Sequence, residues 1–203
     1  QVQTAPLQSY NPFQNPNQSY DIRFSHAIKV LFFAVQNVTV PSSWSNYTTR
    51  ETVAVGKSES DNSLVIDQYF PGTDPIGETS LIYENTQRLA QMGSDYFSLV
   101  EPYYAAPVIP PWNGYHMYSY SLDFMCLDPL GSTNYGKLTN VSIIPTASVE
   151  ARFVAEPKNL IAAAVGGQEV PAFQRAQIFR FIVTAVNNNI IRISGGALGF
   201  PVL

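Results

Sequence analysis

The sequence predicts an all-β fold, an antiparallel sandwich or jelly roll of about eight strands with long surface loops. Apolar and polar side chains alternate with a period of two in residues 20–30 and 118–124, as in a strand with one buried face. The 15 prolines and 12 glycines divide the chain into short segments, which leaves room for only one or two short helical turns.

Composition indicates one domain with little charge. At 203 residues the chain has the length of a single all-β domain. Charged residues make up 13% of it, against roughly 25% in a typical globular protein, so much of the surface must be neutral. The net charge of -4, without a run of Lys or Arg, argues against direct nucleic-acid binding. The longest apolar runs, 30–35 and 160–165, are too short to span a bilayer as a helix.

The first elements along the chain are an arm and a strand. Residues 1–19 combine prolines with Gln, Asn and Ser, which predicts a linker or extended arm from which Tyr10 and Phe13 could dock on a neighbouring surface. A strand follows whose apolar face carries every second residue: Tyr20, Ile22, Phe24, His26, Ile28 and Val30. We expect Phe24 in the core.

The next stretch contains a loop, two short strands and two helical turns. Residues 41–61 are polar and predict an elaborate surface loop, followed by strands at 64–69 and 81–83. Residues 85–92 offer a cap, helix formers and a closing Gly93, which predicts one or two helical turns. A second such turn is expected at 94–100, ended by Pro102.

The clearest alternation lies in the middle of the chain. Tyr118, Tyr120, Leu122 and Phe124 share one side of a predicted strand at 118–124, so we expect Leu122 and Phe124 in the core. Proline, glycine and Asp at 128–132 predict a turn, after which the chain returns as a second strand at 138–144. Cys126, the one cysteine, shares the phase of Phe124 and is expected to be a small buried hydrophobe.

The last quarter predicts three strands and one excursion. Alternation at 149–153 indicates a strand, and Gly and Pro in 156–176 indicate a surface excursion. Residues 178–186 predict a strand, which a hairpin loop of three asparagines joins to a returning strand at 190–194.

No catalytic, cofactor or metal site is predicted. Nucleophilic catalysis needs a base, and the two imidazoles are His26, expected as a hydrogen-bonded core residue, and His116. The two histidines and Cys126 lack the close spacing of zinc ligands. The glycines at 195–199 resemble a phosphate loop only superficially, since no helix can follow before residue 203, and we expect backbone bending there.

Four asparagines match the N-glycosylation acceptor pattern, which is short and is often matched by chance. We expect them to be unmodified, with Asn46 the best exception. The four are Asn17, Asn37, Asn46 and Asn140.

Distinctive stretches along the chain are Phe24 to Lys29, Gly93 to Phe97 with Glu101 to Tyr103, the strand 118–122 followed by Asp128-Pro129 and the residues 131–134, Asn187 to Ile190, and Gly195 to Phe200. In this order they resemble stretches of the major capsid proteins of large icosahedral DNA viruses, and the likeness is strongest to the carboxy-terminal half of the iridovirus protein. Leu130 stands where the wider family has Ser.

The resemblance implies that residues 20–203 are a single jelly roll, the second of two in a longer chain, and that the amino terminus is the cut edge of that chain. It implies a structural protein without enzymatic activity, which forms a homotrimer of pseudo-hexagonal outline and tiles an icosahedral shell. The implied partners are neighbouring capsomers, minor capsid proteins and an internal membrane beneath the shell. The implied location is the virion, after assembly in the host cytoplasm.

A lectin-like jelly roll that binds carbohydrate or attaches to a host remains the alternative, because fold alone does not fix function. In that interpretation Trp44, Tyr47 or Trp112 would stack on sugars. Exposed aromatic residues clustered in one concave site would favour the lectin, and flat apolar or neutral patches would favour assembly.

Overall fold

The computed structural model describes residues 1–39, 45–49, 72–152 and 177–199, together with the backbone of two short strands at 56–57 and 64–65. Within these residues β-strands are the dominant element, which confirms the all-β prediction. The strands are β1 Val2–Thr4, β2 Gln8–Tyr10, β3 Tyr20–Asp21, β4 Ala27–Asn37, β5 Gly56–Lys57, β6 Leu64–Val65, β7 Ile76–Tyr83, β8 Thr86–Gly93, β9 His116–Ser119, β10 Thr133–Asn134, β11 Val141–Ala147, β12 Phe179–Asn188, β13 Arg192–Ser194 and β14 Ala197–Gly199.

Within the described ranges, four short helical segments connect these strands. A π-helical turn at Tyr96–Val100 leads directly into the α-helix α1 at Glu101–Ala105. A 3₁₀ turn spans Tyr135–Lys137, and α2 spans Val149–Arg152. No helix in the described ranges has the length and apolar content that crossing a membrane requires.

The larger sheet has six strands and is built around β4. Strand β12 pairs antiparallel with β4 along nearly its whole length, and β1 and β2 lie in succession on the far side of β12. Strands β9 and β10 lie in succession on the other side of β4. Burial alternates along β12, where Phe179, Phe181 and Val183 are buried and the residues between them are more exposed. This confirms the strand predicted at 178–186.

The first ten residues are part of this sheet, which corrects the linker interpretation for that portion of 1–19. Val2–Thr4 and Gln8–Tyr10 both pair with β12, and the side chain of Tyr10 is fully buried against Phe179. Phe13 stays partly exposed. The segment contains too few apolar residues to fold by itself. It is ordered nevertheless because the edge of β12 supplies partners for its backbone hydrogen bonds, which do not depend on apolar side chains.

The smaller sheet has four strands in the order β3-β11-β7-β8. Here the helical prediction for 85–92 is wrong, because these residues form β8 and return antiparallel to β7. The two loop residues Glu84 and Asn85 have φ of 46° and 63°. A two-residue turn with both residues left-handed matches the twist of paired strands, so the turn selects a hairpin where local propensity favoured a helix.

The predicted strand at 20–30 is two strands in two sheets. Tyr20, Ile22 and Phe24 are buried while Asp21, Arg23 and Ser25 are exposed, which confirms the predicted phase and the core position of Phe24. The chain then crosses from the smaller to the larger sheet at His26, whose φ is 68°. His26 is only half-buried at this corner, and its Nδ1 has no hydrogen-bond partner within the described residues, so it is not the bonded core histidine that we expected.

The strand predicted at 118–124 ends early. Strand β9 stops at Ser119, and the side chain of Leu122 is 85% exposed, so its predicted core position is wrong. Phe124 is half-buried and packs edge-on against Phe32 at a ring-centroid distance of 5.8 Å. The residues after Ser119 form a loop that is tied to β4 by Lys29, which is 5% exposed and donates from Nζ to the carbonyl of Cys126.

The returning strand does not pair with β9. It begins at Val141 and lies in the smaller sheet between β3 and β7, so the chain changes sheets after the turn at Gly131, which has a φ of 118°. Two further predictions are wrong. Residues 149–152 form α2 instead of a strand, and the strand at 192–194 pairs with β14 and not with β12.

The helical turn expected at 94–100 is confirmed, but Pro102 does not end it: the helix continues through Pro102 to Ala105. Trp44, Phe153, most of the loop at 41–61, residues 66–69 and the excursion at 156–176 lie outside the described residues.

Candidate functional site

His116 sits in a buried polar cluster between the two sheets. It is 3% exposed, and its ring stacks on Phe33 with centroids 5.0 Å apart. Its Nε2 lies 2.6 Å from Oδ2 of Asp74 and 2.7 Å from Oγ of Ser94, and Ser94 donates to the same Asp74 oxygen at 2.5 Å. The cluster joins the segment before β7, the end of β8 and the start of β9.

The cluster contains Ser, His and Asp, but its geometry is not that of a nucleophile with its base. A catalytic triad places the hydroxyl on one ring nitrogen and the carboxylate on the other. Here Ser94 and Asp74 both contact Nε2, while the buried Nδ1 of His116 has no hydrogen-bond partner among the described residues. The Ser94 hydroxyl donates its hydrogen bond to Asp74 and not to the ring of His116. The three side chains therefore connect three chain segments, and no base is placed to activate the hydroxyl. The sequence holds no local signal for this cluster, because the three residues come from separate elements.

No grouping in the described ranges brings together three side chains of His, Cys, Asp or Glu as a metal site would require. Cys126 is half-buried in the loop after β9 rather than in the core. Gly195 and Gly196, at φ of 58° and 79°, form the turn between β13 and β14. The glycines therefore bend the backbone, as expected, and specifically as a hairpin turn.

Three tyrosine hydroxyls form a second polar cluster between the sheets. Oη of Tyr135 lies 2.8 Å from Oη of Tyr120 and 3.2 Å from Oη of Tyr83, and the hydroxyls of Tyr83 and Tyr120 also bond each other. Tyr83 ends β7 of the smaller sheet and Tyr120 follows β9 of the larger one. Burial raises the pKa of all three phenols above their ordinary value, so they stay neutral and act as hydrogen-bonding ties across the sandwich.

Residues 99–115, which we call the aromatic surface, expose many large apolar side chains. Phe97 and Pro102 are buried and fix the helical segment to the body. The outward side chains that remain exposed are Leu99, Val100, Tyr103, Tyr104, Val108, Ile109, Trp112 and Tyr115.

Glu101 is the one charged residue of the aromatic surface, and it is used internally. It is half-buried, and its Oε1 accepts a hydrogen bond of 2.9 Å from the backbone N–H of Ser119. Burial and the neighbouring Glu101 carboxylate raise the pKa of Tyr96 to about 12. The outward part of this surface is therefore neutral, aromatic and aliphatic.

Two more segments expose apolar side chains. In the loop after β9, Leu122, Met125 and Leu127 are 85%, 62% and 97% exposed. The β13–β14 hairpin is exposed at every residue, including Ile193 and Leu198. Exposed apolar side chains grouped along a segment in this way are typical of sites of association with other macromolecules.

Two of the aromatic residues proposed for a lectin, Tyr47 and Trp112, lie within the described residues. Trp112 is 68% exposed on the aromatic surface. Tyr47 instead contacts Tyr115, with ring centroids 5.1 Å apart, beside a cavity of about 180 Å³ against the larger sheet. That cavity is lined mainly by apolar side chains, among them Phe32, Ala34 and Ile182, and they offer few partners for sugar hydroxyls.

The four asparagines that match the N-glycosylation pattern differ in their solvent exposure and hydrogen bonds. Asn37 is 2% exposed, and its Nδ2 donates to Oε1 of Gln177 at 2.9 Å, so its amide nitrogen is committed within the fold. The Oδ1 of Asn46 accepts from the backbone N–H and the hydroxyl of Thr48. Asn17 and Asn140 are exposed, and Asn140 precedes β11 rather than lying within a strand.

The two antiparallel sheets packed around one core define the class of β-sandwich proteins, and the exposed apolar segments are typical of surfaces that contact other macromolecules. The family model described as large eukaryotic DNA virus major capsid protein matches residues 1–199. The chain belongs to this family.

Curated relatives agree with this assignment. The chain is 57% identical over 205 residues to the major capsid protein of Invertebrate iridescent virus 3, covering 100% of this chain and 40% of the relative. It is 57% identical over 203 residues to that of Invertebrate iridescent virus 6 and 47% identical over 204 residues to that of Frog virus 3, covering 100% of this chain and 41% of each relative. The chain thus spans about two fifths of the length of these relatives, and the predicted resemblance to iridovirus major capsid proteins is confirmed.

Solved structures agree on the fold. A chain of the PBCV-1 virus capsid superposes with a TM-score of 0.68 at 18% identity, covering 98% of this chain and 49% of that one. The Faustovirus major capsid protein superposes with a TM-score of 0.61 at 12% identity, covering 91% of this chain and 32% of that one. The predicted jelly roll, as found in viral capsid proteins, is confirmed.

Proposed function

We propose that this chain is the second jelly roll of a major capsid protein and that its function is structural. The full-length protein forms a homotrimer of pseudo-hexagonal outline, and these capsomers tile an icosahedral shell. Membership of the capsid protein family supports the structural role. The coverage of about two fifths of each relative is consistent with one of two jelly rolls.

The observation that carries the proposal is the aromatic surface at 99–115. Tyr103, Tyr104 and Trp112 are 67%, 79% and 68% exposed, and no outward charge accompanies them in this segment. Burying ~400 Å² of such surface contributes about 10 kcal/mol at 25 cal/mol/Å², before the costs of association. A surface of this kind is favourable for a subunit that is covered by its neighbours and unfavourable for a monomer.

The proposed partners are other copies of the protein, neighbouring capsomers, minor capsid proteins and an internal membrane beneath the shell. The net charge of -4 supports the absence of direct genome contact. The proposed location is the virion, after assembly in the host cytoplasm. No enzymatic activity, cofactor or metal is proposed, since the His116 cluster is arranged as a structural tie.

The alternative function is carbohydrate binding or host attachment, which the exposed indole of Trp112 would serve by stacking on a sugar ring. Trp112 lies on a surface with few polar side chains, whereas a sugar site requires converging hydrogen-bond partners. The two functions differ in their response to loss of the indole. Trp112→Ala abolishes glycan binding in the lectin and weakens association in the capsid protein.

Light scattering of the full-length protein tests the proposal. We expect trimers for the wild type and a shift toward folded monomers for Tyr104→Asp, because a carboxylate buried without a partner is costly. Gln87→Asp is the matched control, since it adds the same charge at an exposed position of β8 outside the aromatic surface. A strictly monomeric wild-type protein that binds a glycan through Trp112 would overturn the capsid proposal.

A further inference from the structure

Asn113 and Gly114 form the one Asn-Gly dipeptide in the sequence. They lie in a turn between α1 and β9, within the aromatic surface. The dipeptide belongs to neither a helix nor a strand, so no regular hydrogen-bond pattern fixes its backbone. Asn-Gly sequences favour turns, and glycine has no Cβ that would shield its backbone nitrogen from the preceding asparagine side chain.

The fold requires glycine at position 114. Its φ is 91°, in the left-handed region that favours glycine. A Cβ added to Gly114 would lie 2.0 Å from the carbonyl oxygen of Tyr47, which is a backbone atom and cannot move aside as the end of a side chain would. The unshielded nitrogen is therefore a fixed feature of this turn.

The side chain of Asn113 is not held in place. It is exposed, and no hydrogen bond among the described residues involves it. The side-chain amide is therefore free to rotate until its Cγ meets the nitrogen of Gly114. Other asparagines lack this combination. Asn37 is buried and hydrogen-bonded, and the exposed Asn140 is followed by Val141, whose branched side chain crowds the nitrogen.

We propose that Asn113 deamidates spontaneously with the help of the Gly114 backbone, and that this modification gives the aromatic surface an outward negative charge. The nitrogen of Gly114 bonds to Cγ of Asn113, its proton passes to the side-chain amide, and ammonia leaves a five-membered succinimide ring. Water then adds to the ring. Breaking the bond from nitrogen to Cγ gives aspartate, and breaking the bond from nitrogen to the backbone carbonyl carbon gives isoaspartate.

Either product changes the chemistry of the aromatic surface. A carboxyl group of this type is ionised at neutral pH. Glu101 is the one charged residue of 99–115, and its carboxylate is bonded to the backbone of Ser119, so the new charge beside Trp112 is the first that points outward from this segment. The isoaspartate form also adds one atom to the backbone directly before Gly114, where the packing against Tyr47 leaves no room.

The consequence for association rests on the proposed self-assembly. A subunit that deamidates before it assembles carries a carboxylate on a surface that assembly would bury, and burying an unpaired charge is costly. The reaction therefore limits the time for which a free subunit remains competent to associate.

Peptide mapping by mass spectrometry tests the modification in the full-length folded protein, incubated in mildly alkaline buffer. We expect Asn113 to convert at least about tenfold faster than Asn140, because Val141 crowds the attacking nitrogen at the second site. Asn113→Gln keeps the amide, but its longer side chain closes a ring far more slowly, so that variant should keep its mass. An Asn113 peptide that keeps its mass in the folded protein would overturn the proposal, whether or not the urea-unfolded protein reacts.

Sedimentation of the full-length protein tests the consequence. Asn113→Asp should weaken association at least about tenfold relative to Asn113→Gln, because its carboxylate would be buried without a partner. Gln87→Asp adds the same charge at an exposed position of β8 and should associate like the wild type. Equal association of the two Asn113 variants would overturn the effect on assembly. A monomeric wild-type protein would reject the self-assembly itself, while the mass measurement decides the modification independently.

Discussion

The ring of Tyr20, in the smaller sheet, stacks on the ring of Phe181, in the larger sheet, with centroids 4.6 Å apart and planes inclined by 26°. Both side chains are nearly inaccessible, at 1% and 2% exposure. The hydroxyl of Tyr20 also donates to the carbonyl of Ser9, which lies in β2 of the larger sheet, at 3.0 Å. One side chain therefore joins the two sheets by both apolar packing and a hydrogen bond.

Phe181→Ala should lower the free energy of unfolding by about 3–5 kcal/mol, because it removes a buried ring and leaves a cavity under Tyr20. Leu122→Ala should change it by no more than about 0.5 kcal/mol, since Leu122 is 85% exposed. Urea unfolding of the two variants checks the contrast. If the two variants lose equal free energies of unfolding, then either Leu122 is not exposed or Phe181 is not buried in the folded protein.

The tyrosine cluster predicts a loss of stability in alkali. Burial raises the pKa of Tyr120 and Tyr135 above 10.0 in the folded state. Their contribution is fully present below pH 10 and falls as the pH rises further, because the unfolded chain then loses protons that the folded chain keeps. We expect the unfolding free energy to fall by up to about 1.4 kcal/mol per pH unit for each phenol.

Tyr120→Phe removes one of these linked groups, so its stability should fall less steeply between pH 10 and 11 than that of the wild type. Tyr103→Phe, at an exposed position of α1, is the control and should leave the slope unchanged. Urea unfolding at a series of pH values measures both slopes. A wild-type slope that Tyr120→Phe does not reduce would contradict the burial of these hydroxyls.

The His116 cluster predicts a structural rather than a chemical effect. Ser94→Ala removes a hydroxyl bonded to both Asp74 and His116 and should cost about 1–3 kcal/mol, as expected when buried polar groups lose a partner. Ser132→Ala, at an exposed position, should be nearly neutral. Thermal unfolding distinguishes the two. If Ser94→Ala melts like the wild type, the cluster does not hold the three segments together.

The turn between β7 and β8 gives a backbone prediction. Asn85 has a φ of 63°, a conformation that costs about 1–2 kcal/mol for most L-residues and little for glycine. Asn85→Val should therefore destabilise the protein by about that amount, and Asn85→Gly should stay within about 0.5 kcal/mol of the wild type. A helix at 85–92 would give the opposite order, since glycine is the poorer helix former.

The strand phase around Phe24 was determined by the sequence alone, because alternation with a period of two is a local property that the buried face imposes on neighbouring residues. The resemblance to viral capsid proteins was also present in short stretches of sequence. Polar ties such as Asp74 to His116 were not, because their partners are far apart along the chain.

Tertiary structure decided which strands became neighbours and where each one stopped. Residues 85–92 have the composition of a short helix but form β8, because β7 presents a strand edge whose hydrogen bonds they complete. Strand β9 continues the predicted alternation only to Ser119, and the following residues form a loop that Lys29 binds at the carbonyl of Cys126 and that leaves Leu122 in solvent. Period and propensity describe what a segment can form, whereas pairing and burial depend on partners that only the folded chain brings into contact.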